Sequence, residues 1–304
     1  MSRFSITLLI ALLGFANSGQ AGPSSDHPDW VPGGVDGCLS CHRPGSPLEV
    51  EHPYHAWQTD ADGERKPVDC QSCHGPSANH LMPGPEGRPP PPINFDQRTP
   101  VAEQDAACLS CHQNETDMAH WMFSAHHDAE IGCASCHTVH QEPQPVVRGE
   151  QTNEQCLACH TELRADLQRR SHHPMASGEM DCLSCHNPHG SPTPGDLTEL
   201  SLNDLCIGCH MDLRGPFLWE HPPASEDCTL CHQPHGSNHR ALLQARTPWL
   251  CQDCHQAPFH PSSLESGAGL PGGSASRSLL MRDCLSCHTQ VHGSNHPGGV
   301  GLTR

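Results

Sequence analysis

Aromatic side chains are nearly missing from this chain: six Phe, five Trp and one Tyr occur in 304 residues. Lysine occurs once, as Lys66, and the 16 Lys and Arg residues face 34 Asp and Glu, for a formal net charge of -18. Phosphate binding needs clustered positive charge, so nucleic acid is excluded as a partner. With the cysteines set aside, apolar side chains plus glycine make up only about 37% of the chain, against the usual 45–50%. A conventional aliphatic core is therefore excluded. The 30 prolines and 27 glycines also leave few uninterrupted helical or strand patterns.

What is abundant is cysteine, with 20 residues, and histidine, with 27. That pairing points to metal or haem before any motif is read. Residues 1–21 explain the compartment. They carry Arg3, an apolar run from Phe4 to Phe15 and a small-residue ending at Gly19-Gln20-Ala21, which is the pattern of a secretory signal peptide. The run is shorter than the roughly 20 apolar residues a membrane-spanning helix needs. An exported chain starting near Gly22 is expected.

Every cysteine belongs to a C-x-x-C pair: Cys38/Cys41, Cys70/Cys73, Cys108/Cys111, Cys133/Cys136, Cys156/Cys159, Cys182/Cys185, Cys206/Cys209, Cys228/Cys231, Cys251/Cys254 and Cys284/Cys287. Histidine follows each pair at once, as His42, His74, His112, His137, His160, His186, His210, His232, His255 and His288. Two thiols at this spacing can form thioethers to the two vinyl groups of one haem, and the adjacent imidazole reaches the iron. Zinc ribbons and disulfides also use paired cysteines. Neither requires the histidine, so ten covalent haems c are expected. Their macrocycles would supply the apolar core that the side chains lack.

The remaining histidines are not scattered. His140, His189 and His235 each follow a motif histidine by three residues; His55, His126 or His127, His173 and His221 precede motifs; His80, His260 and His292 follow motifs at longer intervals. Counting one of the His126/His127 doublet, these are ten candidates for ten sixth positions, which argues for bis-histidine ligation throughout. His27, His52, His120, His172, His239 and His296 read as structural or exposed.

The odd-numbered motifs recur every 45 to 50 residues from Cys108 onward, so the repeat unit holds two motifs. Asn153-Glu154-Gln155-Cys156 aligns with Asn203-Asp204-Leu205-Cys206, and Glu162-Leu163-Arg164 with Asp212-Leu213-Arg214. Stacked units of this kind give a quasi-linear object. The expected fold is mostly irregular with short α-helices, drawn out as an elongated haem chain. A helix is expected over Thr161 to Arg170, and an extended polyproline-like linker over Pro83 to Pro92. The Gly/Ser-rich stretch from Ser262 to Ser278 is expected as a loop.

With ten motifs, the Asn-Pro-His-Gly and Gln-Pro-His-Gly segments, Arg214-Gly215-Pro216, Trp219-Glu220-His221-Pro222 and Val291-His292-Gly293-Ser294-Asn295-His296-Pro297, the chain resembles the MtrA/DmsE family of periplasmic decahaem cytochromes c. That resemblance implies two pentahaem halves, here 22–165 and 166–304, and supports the distal assignments above. It also implies periplasmic or inner-membrane cytochrome donors, an outer-membrane β-barrel porin and an extracellular multihaem cytochrome as partners. The other branch of the family implies delivery to a terminal reductase. A multihaem reductase of nitrite or hydroxylamine type would need an iron with an open position, whereas the histidine supply closes every site. An electron conduit is the expected function, and no catalytic residue is expected.

Overall fold

A computed structural model describes residues 29–43, 57–59, 65–140, 150–255 and 283–303. His55, His260, residues 1–21 with their expected signal peptide, and the 262–278 stretch lie outside these residues. The helices are α1 (Val35–Leu39), α2 (Cys70–His74), α3 (Ala78–Leu81), α4 (Val101–His112), α5 (Ala125–Asp128), α6 (Glu150–Leu157), α7 (Leu163–Asp166), α8 (Leu202–Cys209), α9 (Pro222–Glu226) and α10 (Trp249–Gln252). Short strands β1 (Trp57–Thr59) and β2 (Arg65–Pro67) pair antiparallel, with Gln58 opposite Lys66. Helices this short are not stable alone in water, so tertiary contacts must hold them.

Those contacts are not aliphatic. Among the described residues only Trp30, Val31, Trp121, Leu157 and Leu243 are buried apolar side chains. The buried polar set is larger and includes Gln71, Ser124, Thr152, Asn153, Ser237 and Ser294. Each has a bonding task. The Gln71 side-chain oxygen, for example, accepts the backbone N–H of both Val31 (2.8 Å) and Ser77 (3.1 Å), tying the first segment to the second motif.

The two motifs of a repeat differ in local structure. Odd motifs end helices: Cys108 to His112 close α4, Cys156 lies on α6, Cys206 and Cys209 on α8, and Cys251 on α10. From the fourth onward, even motifs form single 3-10 turns, Cys133–Ser135, Cys182–Ser184, Cys228–Leu230 and Cys284–Ser286. An aspartate just before the motif caps several of these turns, with Asp227 accepting from the Thr229 N–H (2.7 Å) and Asp283 from that of Leu285 (2.9 Å). Side-chain oxygens of this type satisfy the exposed first amides of a helical turn.

Two local expectations change. The segment Thr161 to Arg170 forms helix only over α7, because by Ser171 the backbone must run extended to exchange hydrogen bonds with Ser237 (2.9 and 2.8 Å). Long-range pairing overrides helix propensity there. The proline-rich segment is not a free spacer. Gly84 and Gly87 exchange two backbone bonds, and the Pro89 carbonyl accepts from His80 Nδ1 (2.6 Å), folding the segment back onto the second motif.

Repeats meet through glycine turns. Gly190, Gly236 and Gly293 follow His189, His235 and His292 with φ of 97°, 145° and 130°. At Gly236 an added Cβ would overlap the Asp166 carbonyl, and at Gly190 it would sit 2.6 Å from the His120 carbonyl oxygen. Gly195 has a similar positive φ of 77° but open space around it. Gly236→Ala should therefore cost about 2–4 kcal/mol of stability, from strain plus overlap, and Gly195→Ala only about 1 kcal/mol. Guanidinium unfolding midpoints of the two holoprotein variants check this, and equal losses would refute the close-approach argument.

Candidate functional site

The motif histidines do not stand alone. Seven of them face a second imidazole at nearly constant separation: His42 with His80 (ring centroids 6.3 Å), His74 with His140 (6.2 Å), His137 with His189 (6.0 Å), His160 with His126 (6.2 Å), His186 with His235 (6.0 Å), His232 with His292 (6.1 Å) and His255 with His221 (6.0 Å). Six pairs are close to parallel, with interplanar angles of 5° to 28°, while His126 and His160 cross at 67°. Imidazole nitrogen lies about 2 Å from a bound first-row metal, so one metal between two such rings sets the centroids about 6 Å apart. The pairs have the separation of a six-coordinate iron with an imidazole on each side.

The partners are not sequence neighbours. His189 follows the sixth motif but faces the fourth, His235 follows the eighth but faces the sixth, and His292 follows the tenth but faces the eighth. Conversely, His126 and His221 precede even motifs and face the odd motif that comes next. Each repeat thus lends imidazoles both backward and forward.

Backbone carbonyls hold these rings. His126, His173 and His221 donate Nδ1–H to the carbonyls of Pro188 (3.1 Å), Pro234 (3.0 Å) and Val291 (2.8 Å), which are the residues immediately before His189, His235 and His292. Fixing the proton on Nδ1 leaves Nε2 with its lone pair, the tautomer a metal takes. His127 has none of this: its Nδ1 is buried without a hydrogen-bond partner, and its ring packs edge-on against Trp121 (5.9 Å). Burial lowers the pKa of His189, His235 and His292, keeping them in the neutral form that ligates. His173 shares the hydrogen bond of His126 and His221, but its ring is not in one of the seven pairs.

The cysteines place the motifs in order. The first thiols of the two motifs in a repeat perturb each other's ionisation, as in Cys38 with Cys70, Cys108 with Cys133, and Cys156 with Cys182. A hydrogen bond from the Cys38 thiol lowers Cys70 to about 7. Cys206 and Cys251 are pushed up to about 12, by burial first and then by Cys228 and Cys284. Between repeats the second cysteine of the even motif meets the next odd motif: Cys73 is raised to about 11 by burial and then by Cys108 and Cys111. Cys136, Cys185 and Cys231 are raised by burial and then by Cys156, Cys209 and Cys254. Thioethers do not titrate, so in the finished protein these couplings matter as proximities. They link all ten motifs in single file, in sequence order. One cavity of about 3850 Å³, lined by cysteines and histidines from the second motif to the tenth, runs beside them. A pocket for one small ligand holds roughly 300–1,000 Å³. Paired thiols, opposed imidazoles and this extended cavity fit a series of covalently held haems.

Four cysteines lie outside the cavity lining: Cys38, Cys41, Cys70 and Cys287. The second cysteine of every odd motif is exposed, as Cys41, Cys111, Cys159, Cys209 and Cys254, and so is Cys287. The second cysteine of an interior even motif is instead half-buried against the odd motif that follows, as Cys231 is against Cys254. In the first motif it is Cys38, not Cys41, that meets Cys70. Beside Cys41 stands the Ser40 hydroxyl, with Oγ 3.8 Å from its sulfur.

Known proteins agree. A family model for a doubled C-x-x-C-H motif matches residues 172–215 and 221–258, and one for NrfB-like cytochrome c-type proteins matches 70–151. The multihaem cytochrome MtrA of Shewanella baltica is 40% identical over 283 residues, covering 91% of this chain and 83% of that protein. The chain belongs to the MtrA family of multihaem cytochromes. The cytochrome c-type protein NrfB of Escherichia coli is 32% identical over 133 residues, covering 42% of this chain and 66% of that protein. Membership in the MtrA family makes this a c-type, multihaem electron-transfer protein and not an enzyme. Among the described residues no helix is long and apolar enough to cross a membrane.

Three residues that motif reading alone passes over hold the attachment sites in register. Asp105, Asn153 and Asn203 each lie three positions before an odd motif. Each accepts, through a side-chain oxygen, the N–H of the first cysteine of the following even motif: Cys133 (2.9 Å), Cys182 (3.0 Å) and Cys228 (2.9 Å). The internal alignment of Asn153 with Asn203 was the one signal for them. Asn153 also donates to the Met175 carbonyl (3.3 Å), so Asn153→Ala leaves two backbone groups unpaired. We expect a loss of about 1–3 kcal/mol in chemical unfolding of the holoprotein, with Asn153→Asp, which keeps the acceptor, losing less.

Proposed function

We propose that the chain is a periplasmic conduit that passes electrons along ten bis-histidine haems c. Its donors are cytochromes of the periplasm or inner membrane. Its acceptor side is an outer-membrane β-barrel porin with an extracellular multihaem cytochrome. When bound, the haems supply one-electron redox centres; the chain's part is to attach, orient and order them. The observation that carries this reading is the set of opposed imidazoles about 6 Å apart, because saturated iron is what a conduit needs and what a substrate-binding enzyme lacks.

The ten cysteine pairs, those of Cys41 and Cys287 included, would bind the haems, with His42, His74, His112, His137, His160, His186, His210, His232, His255 and His288 as proximal ligands. The facing rings His80, His126, His140, His189, His221, His235 and His292 take the sixth positions. His173, held like His126 and His221, serves His210 by repeat equivalence, and His55 and His260 are left for His112 and His288. Two pentahaem modules, 22–165 and 166–304, follow the motif count.

The NrfB similarity keeps a second reading in view, a periplasmic shuttle feeding a reductase. Expression beside its native partners separates the two: the conduit reading expects mild detergent to extract the protein together with a β-barrel, and recovery as a free periplasmic monomer would favour the shuttle.

The holoprotein should retain ten haems by intact mass after acid-acetone treatment. It should be wholly low-spin and, when reduced, bind almost no carbon monoxide. His126→Ala should keep all ten haems yet gain about one high-spin, carbon monoxide-binding iron, since axial ligation controls haem chemistry, whereas His127→Ala should leave the spectrum unchanged. The reverse result would move the ligand role to His127.

A further inference from the structure

The second nitrogen of the motif histidines is not treated alike along the chain. His74, His186 and His232 donate Nδ1–H to the carbonyls of Ile93 (3.0 Å), Gly195 (2.7 Å) and Ala241 (2.7 Å), and His288 donates to that of Gly301. His112 instead donates to a carboxylate, Glu115 Oε1, at 2.8 Å. Glu162 stands in a related place beside His160, but its oxygen is 3.7 Å away, beyond hydrogen-bond reach. The Glu115 N–H closes a turn on the His112 carbonyl (3.1 Å), which sets the side chain against the ring. Helix stability does not account for this acid. It follows the C-terminus of α4, where the negative end of the helix dipole disfavours a carboxylate.

We infer that Glu115 is a positioning residue that makes the third haem a lower-potential centre than haems whose histidine is bonded to a backbone carbonyl. This rests on the reading of His112 as an iron ligand. A carboxylate acceptor draws the Nδ1 proton further than a carbonyl does, so Nε2 becomes a more basic ligand and favours ferric iron. Reduction adds one electron to the iron, breaks no bond and leaves the shared proton between His112 and Glu115. The pair is partly exposed, 41% at His112 and 59% at Glu115, so water screens the effect and keeps it moderate. In a single file of centres, such a step fixes where an electron dwells least.

Optical potentiometric titration of the holoprotein tests this, comparing wild type with Glu115→Gln, Glu115→Asp and Glu103→Gln. A charged hydrogen bond is roughly twice as strong as a neutral one. For Glu115→Gln, about one tenth of the haem absorbance should therefore move to more positive potential. At the wild-type midpoint of that centre, the ferrous-to-ferric ratio should rise roughly fivefold, equivalent to about 40 mV at 59 mV per tenfold. Glu115→Asp, which keeps the charge, should recover part of the difference. Glu103→Gln removes a charge from the other end of α4 and should leave the curve in place. Coincident curves for Glu115→Gln and wild type would overturn the inference, as would equal shifts for Glu115→Gln and Glu103→Gln. Haem count and a low-spin spectrum verify that each variant is intact. His112→Ala separates the two layers of the argument. If it converts about one iron to high spin while Glu115→Gln is inert, only the role of Glu115 fails; if all irons stay low-spin, the ligand reading of His112 fails and takes the inference with it.

Discussion

Opposed imidazoles from different repeats are the constraint on which this architecture depends. A metal between His137 and His189, or between His160 and His126, joins chain segments more than thirty residues apart. Each such bond closes a long loop in a chain with only five buried apolar side chains among its described residues. Metal binding of this kind is folding free energy, because the site does not exist in the unfolded chain. The polypeptide supplies the rest with hydrogen bonds: Ser171 to Ser237, Trp219 to Ser294, and the side chains of Asp105, Asn153 and Asn203 across each motif pair. Cofactor and backbone thus take over the task that aliphatic packing performs elsewhere.

The attachment motifs are legible in the sequence because they are contiguous. Two thioethers and one imidazole must come from five successive residues, and no folding event is needed to see them. What the motif does not encode is its surroundings: the second cysteine is exposed in every odd motif, as Cys41, Cys111, Cys159, Cys209 and Cys254, and half-buried in the even motifs apart from Cys287. Seven of the second imidazoles that number and spacing single out face a motif histidine, but which one each faces was not legible. His189 lies three residues from His186, yet it faces His137, since the glycine turn at Gly190 carries it back across the repeat boundary. The choice within the His126/His127 doublet likewise depended on a carbonyl 62 residues away, at Pro188. Topology carries that information and local sequence does not.

Secondary structure was the least legible layer, for the same reason. Thr161 to Arg170 has the composition of a helix, yet four residues adopt it, because Ser171 must pair with Ser237 and Asp166 must lie against Gly236. In a chain without a hydrophobic core no amphipathic stripe exists to overrule such demands, so the ends of each element are set by what it must reach. The proline-rich segment follows the same rule: its composition suggests a spacer, and its carbonyl at Pro89 holds His80.

The contacts between motifs also limit how electrons can move. Within a repeat the first cysteines approach each other, and between repeats the second cysteine of one unit approaches the next odd motif. Alternating these two contacts gives every interior motif two neighbours and gives the end motifs one. By these cysteine contacts the motifs follow one another in the order of the sequence. A file of this kind is symmetric with respect to direction: nothing in the contacts distinguishes forward from reverse transfer. Direction must then come from the potentials of the centres and from what meets the two ends. Hydrogen bonds to each histidine's second nitrogen act on such potentials together with burial, and these bonds are a layer where this repeat departs from strict repetition.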